Sequence, residues 1–149
     1  MKNFFRRKKK KTIAEIFHHI YYKSDWWKSA ETGSGPGSLL ENTKHIREKI
    51  PRLLESLNTR SLLDAPCGDL NWVSHMDLGN IKYTGADVVE QLINENRKKF
   101  PGRVFITADI TSDRLPAADV VLCRDCFIHL PNYLVVAAIE NFRNSGIHY

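Results

Sequence analysis

From Arg60 onward four short apolar runs alternate with helical stretches, and this alternation limits the fold more tightly than any other feature of the chain. The runs are "RSLLDA", "IKYTGADV", "RVFITADI" and "ADVVLCRD". Largely apolar segments of this length suit strands buried on both faces. Between them lie a brief helix, "NWVSHMDL", and an amphipathic one, "VEQLINENRKKF", which aligns Leu92, Ile93, Asn96 and Phe100. After the fourth run "PNYLVVAAIENFRNSG" reads as a helix, with Pro131 in its first turn and Gly146 as its C-cap. The order predicts an α/β, Rossmann-like, three-layer parallel sheet of about four strands. Only the stretch from Thr111 to Ala117 lacks a clear pattern, and there is no internal repeat.

Upstream, residues 12–59 read as a helical segment. Ile13, Ile16, Phe17, Ile20, Tyr21 and Trp27 recur mostly at helical spacing. The glycines and Pro36 of "ETGSGPGSLLENT" interrupt that helix. Ser38 then reads as an N-cap, with Glu41 completing a capping box. The next helix places Leu39, Thr43, Ile46, Ile50, Leu53, Leu54 and Leu57 on one face, and Pro51 should kink or restart it.

Residues 1–11 form a basic tail. It holds seven of the 22 basic residues, and the remaining 15 stand against 17 acidic ones. The net charge of +5 therefore belongs to the tail and not to the domain. Such a run suits anionic lipid or nucleic acid, and equally a solvated tail. No aromatic-rich basic patch follows it, so nothing else points to nucleic acid. The 149 residues suit one domain. No run reaches the roughly 20 apolar residues that span a bilayer. Three cysteines and no secretory signal predict a reducing cytoplasm.

In a parallel sheet of this kind the ligand sits at the carboxyl ends of the strands. Asp64, Asp87 and Asp109 fall at the ends of the first three. A dinucleotide site would need G-x-G-x-x-G after the first strand, so that backbone can approach a pyrophosphate. "SLLDAPCGDLNW" has one glycine there, Gly68, followed by another acid, Asp69. Carboxylates crowded against a pyrophosphate repel it. A ligand with an ammonium and a sulfonium and no phosphate suits the loop better, and S-adenosylmethionine is one.

Four segments together resemble the class I S-adenosylmethionine-dependent methyltransferases. "LLDAPCGDLNW" resembles their first motif, with Asp64 as its acid and Gly68 as its central glycine. Pro66 and Asp69 stand where two further glycines are usual, which marks a subgroup with a DAPCGD-type loop. "YTGADVV" resembles the second motif, whose acid, here Asp87, takes both ribose hydroxyls as a charge-assisted pair. "TADIT" resembles the third, in which Asp109 accepts from the adenine amino group and Ile110 packs near the ring. "ADVVLCRDCFIHLP" resembles the fourth. The resemblance covers roughly residues 61–145 and implies a cofactor set of Asp64, Pro66, Cys67, Gly68, Asp69, Asp87, Val88, Asp109, Ile110 and Arg124. Gly33, Ser34, Gly35 and Ser38 could present backbone amides to the methionine carboxylate, or form only a hinge between helices.

Methyl transfer to a hydroxyl requires removal of a proton. Asp125 and His129, four residues apart, would share the face of a helical turn, the acid orienting the imidazole. The bland alternative has Asp125 capping the turn and His129 packing at the sheet edge. Cys123 and Cys126 form a lone C-x-x-C; zinc would need two more ligands, and no metal site is expected. Trp26 and Trp27 suit either the pocket or the core.

The methyltransferase core, residues 60–149, then reads as the front part of a longer sheet. Its fourth strand should be an exposed apolar edge, which would leave the chain marginally stable or let it associate through that edge. The function implied is a methyltransferase acting on a small-molecule or sugar-like acceptor. The alternative is a truncated, non-catalytic remnant that binds S-adenosylmethionine or a partner chain only.

Overall fold

A computed structural model describes residues 11–24, 29 and 31–149. The basic tail up to residue 10, and Trp26 and Trp27, lie outside the described residues. Among the described residues, four α-helices and four strands follow one another as α1 (Ile13–Lys23), α2 (Leu40–Ser56), β1 (Ser61–Asp64), β2 (Lys82–Asp87), α3 (Glu90–Lys99), β3 (Val104–Thr107), β4 (Val120–Leu122) and α4 (Asn132–Asn144). The strands form one parallel sheet in the order β3-β2-β1-β4, so β1 is interior.

Alternate side chains leave the sheet on opposite faces and build two cores. Leu62, Tyr83 and Phe105 meet Leu54 of α2 and Ile93 of α3. Leu63 and Ala86 meet Ala138 and Phe142 of α4. Three layers result, as the continuous apolar runs predict. Asp119 sets the register at the start of β1, where its Oδ2 accepts from the Arg60 and Ser61 amides, each at 2.8 Å.

Several expectations change. Helix α2 starts one residue past Leu39, and Ser38 closes a 3-10 turn, Pro36–Ser38, instead of capping it. The amide of Leu40 donates to the Glu31 carboxylate at 2.6 Å, so the cap comes from outside the helix. The capping box lies at α1 instead: the Glu15 amide donates to Thr12 Oγ1 and the Thr12 amide to Glu15 Oε2. Pro51 does not interrupt α2. Leu53, expected on the buried face, is 56% exposed. Ser145 is the C-cap of α4, and Gly146 follows it at φ 74°, the usual left-handed exit.

The edge of β4 is not bare. Tyr149 donates from its amide to Asp119 O at 3.1 Å and accepts from the Val121 amide at 2.8 Å. That is one parallel pairing step beside β4, and it corrects the expectation that nothing covers this strand. Among the described residues, no helix is long and apolar enough to cross a membrane.

Candidate functional site

The three acids reach one place because their strands are parallel and adjacent. Asp64 ends β1 and Asp87 ends β2, while Asp109 lies two residues past β3. Above these ends is a cavity of about 250 Å³. The ten residues of the expected cofactor set line it, Asp64, Pro66, Cys67, Gly68, Asp69, Asp87, Val88, Asp109, Ile110 and Arg124, and so do Asp125 and His129, whereas Gly35 and Cys123 do not. Helix α1 adds a wall that the motifs did not mark, made of Ile13, Phe17, Ile20 and Tyr21. Their helical spacing was legible; Ile16, read on the same face, is 43% exposed instead.

Asp87 is held from both sides. Its Oδ1 accepts from the Val89 amide at 2.9 Å and its Oδ2 from the Gly68 amide at 3.2 Å. Each oxygen keeps a lone pair for another donor. Burial pushes this carboxyl up to about 6, against the pull of those backbone bonds. Burial likewise pushes Asp64 up to about 7, although the Tyr83 hydroxyl donates to it at 2.6 Å; the neighbouring Asp87 charge adds to the rise. Tyr83 opens the stretch that resembles the second motif, but that motif did not mark it as a partner of Asp64. Asp109 Oδ1 accepts from both the amide and the hydroxyl of Thr111, at 2.8 and 2.6 Å.

Gly68 turns the loop in the left-handed region, at φ 55°. A Cβ there would also stand 2.6 Å from Ser34 Oγ, so only glycine fits. Its carbonyl accepts from the buried Asn96 side chain at 2.7 Å. Asn96 was placed on the inner face of α3 by periodicity alone; nothing local showed that it braces the motif loop. Burial pushes the Cys67 thiol up, so it lines the wall as a neutral group.

Asp69 was expected among direct cofactor contacts, yet its carboxylate is already engaged by the protein. It accepts from Tyr21 Oη (3.2 Å), Thr32 Oγ1 (2.7 Å), the Gly33 amide (3.0 Å), Ser34 Oγ (2.9 Å) and the Asn71 amide (3.2 Å). The Gly33 amide is therefore not one of the free amides the glycine-rich stretch was expected to offer.

Asp125 and His129 do not sit on a shared helical turn. Asp125 adopts φ 52°, and the 3-10 turn Phe127–His129 begins after it. Arg124 binds the Asp125 carboxylate at 2.8 Å and lies over Trp72, 5.4 Å from the ring centre. His129 meets Phe17 edge to face, with ring centres 6.5 Å apart. Cys123 and Cys126 are free thiols that share a hydrogen bond, which holds Cys123 above its usual range and lowers Cys126. Among the described residues, no group of three or more His, Cys, Asp or Glu is placed to hold a metal ion.

The geometry has clear counterparts among solved structures. The methyltransferase domain of bacterial CtHen1-C superposes with a TM-score of 0.60 at 16% identity over 70% of this chain. Magnesium protoporphyrin IX methyltransferase from Synechocystis PCC 6803, with S-adenosylhomocysteine bound, gives 0.58 at 16% over 86%. Streptomyces venezuelae DesVI gives 0.57 at 21% over 66%. The chain has a Rossmann-like methyltransferase fold. It spans 62%, 60% and 44% of those three chains, respectively. No family model matches it, and no curated protein does.

Proposed function

We propose that the cavity binds S-adenosylmethionine and that the protein passes its methyl group to a small-molecule or sugar-like acceptor. The observation that carries this reading is Asp87, buried at the end of β2 with each oxygen aimed by one backbone amide. Two adjacent ribose hydroxyls satisfy the remaining lone pairs. Asp109 and Ile110 take the adenine, with Val88 beside the ribose. Pro66, Cys67 and Gly68 flank the methionine portion, and Arg124 stands at its far side. Asp64 and Asp87 resist ionising because they are buried, and a cationic ligand without phosphate relieves that cost. The bound cofactor supplies an electrophilic methyl group. His129, on the cavity wall against Phe17, is the group that removes the acceptor proton.

A second reading, cofactor binding without turnover, is favoured by one observation. Asp125 is left-handed and precedes the turn Phe127–His129, so the two residues do not share the helical face on which an Asp–His base was expected. Isothermal titration with S-adenosylmethionine tests binding, and release of S-adenosylhomocysteine in the presence of candidate acceptors separates the two readings. Asp87→Ala should weaken binding by roughly 1.5–3 kcal/mol, the range for hydrogen bonds to a charged group. Equal affinity of Asp87→Ala and the parent protein means the ribose assignment is wrong.

A further inference from the structure

We propose that Asp69 is the latch of a strap, residues 31–38, which together with α1 closes the cofactor cavity, and that cofactor leaves when this latch opens. The proposal rests on the S-adenosylmethionine reading of the cavity. Two segments distant in sequence converge on the Asp69 carboxylate, α1 through Tyr21 and the strap through Thr32, Gly33 and Ser34, while the Asn71 amide donates from Asp69's own loop. The contact is reciprocal, since Ser34 Oγ also accepts from the Asp69 amide at 3.1 Å. A second carboxylate works alongside it. Glu31 Oε1 accepts from the Leu40 amide and from Asn71 Nδ2, both at 2.6 Å, fixing the strap to α2 and to the same loop.

The strap also fits too closely to be a loose linker. A Cβ on Gly33 would stand 2.7 Å from the Tyr21 ring, and one on Gly37 would stand 2.5 Å from Asp125 Oδ2. It therefore reaches from α1 to the loop after β4, across the strand ends. Gly33, Ser34 and Ser38 line the cavity from that side. Yet among the described residues the strap is held by polar side-chain contacts and by the 3-10 turn Pro36–Ser38, with no strand pairing, and such segments open more easily than the core. A carboxylate with five donors is stable when closed and costly to leave half-satisfied, so opening is concerted. Asp69 is thus a positioning residue, acting on the cofactor through the strap and not by touching it.

The test compares the parent, Asp69→Asn and Thr32→Val, using amide hydrogen exchange without ligand and stopped-flow dissociation of S-adenosylhomocysteine. Asp69→Asn should speed exchange of the Gly33 and Leu40 amides while those of Leu63 and Ala86 stay protected. It should also raise the dissociation rate at least tenfold, with association little changed. Thr32→Val, which removes one strap donor and leaves the Asp69 charge in place, should do the same to a smaller degree. Unchanged strap exchange in both variants overturns the latch. Faster strap exchange with unchanged dissociation shows that the strap is not the gate. Weaker binding in Asp69→Asn alone, with the strap still protected, makes Asp69 a direct ligand and also overturns it. If the parent does not bind S-adenosylhomocysteine, the cofactor reading fails, whereas the exchange data still decide whether Asp69 holds the strap.

Discussion

Asp64 and Asp87 carry the pH behaviour of the site. Both sit above the 3.8 of an ordinary aspartate, at about 7 and about 6, because burial penalises the charged form. The folded protein therefore holds protons that the unfolded chain has already released between about pH 4 and pH 7. The stability they contribute is fully present below about pH 4 and is lost as pH rises through 6 and 7, by an amount on the order of a few kcal/mol. Denaturant titrations of the ligand-free protein should show a higher midpoint at pH 5 than at pH 8, and a flat profile would show that the two carboxyls ionise normally. Binding has the opposite slope. A sulfonium and an ammonium favour the ionised acids, so S-adenosylmethionine affinity should rise roughly tenfold from pH 5 to 7.5 if one proton near 6 is released. S-adenosylhomocysteine, lacking the sulfonium charge, should respond less. The acids were legible in the sequence because each follows an apolar run. The pairing of Asp125 with Arg124 was not, because a spacing of four implies a shared face only if the backbone is helical, and Asp125 is left-handed.

At the scale of elements, strands and helices were legible where burial alone decides them. Leu62 and Leu63 point into different cores, as a doubly covered strand must. Ends were less legible, because their partners are remote. The start of α2 is capped by Glu31, nine residues upstream, and Asp119 ties the start of β1 from 58 residues away. Edge pairing follows the same rule: Tyr149 beside β4 is visible only once the sheet exists. Removing Ile147–Tyr149 deletes two backbone hydrogen bonds and the packing of Ile147 on the second core. Each such bond is worth about 0.5–1.5 kcal/mol, so the loss should be roughly 2 kcal/mol, with increased self-association through Val120 and Val121. Thermal unfolding and light scattering check this; an unchanged Tm and a strictly monomeric variant would show that the pairing contributes nothing.

For the whole molecule, the sheet order explains why so much of the site could be read in advance. Parallel strands in the order β3-β2-β1-β4 bring the loops after all four to one edge, so residues far apart in sequence line one cavity. The roof was the hidden part. Its bonds join Asp69 to residues 35 to 48 positions away, a convergence that no local pattern announces. On the function proposed above, this cavity takes a cationic, phosphate-free nucleoside and not a dinucleotide. Side-by-side isothermal titration with S-adenosylmethionine and NADH at pH 7.5 tests it most directly. S-adenosylmethionine should show saturable one-to-one binding at micromolar strength or weaker, and NADH no measurable heat. Tighter binding of NADH, or no binding of S-adenosylmethionine at millimolar concentration, would contradict it.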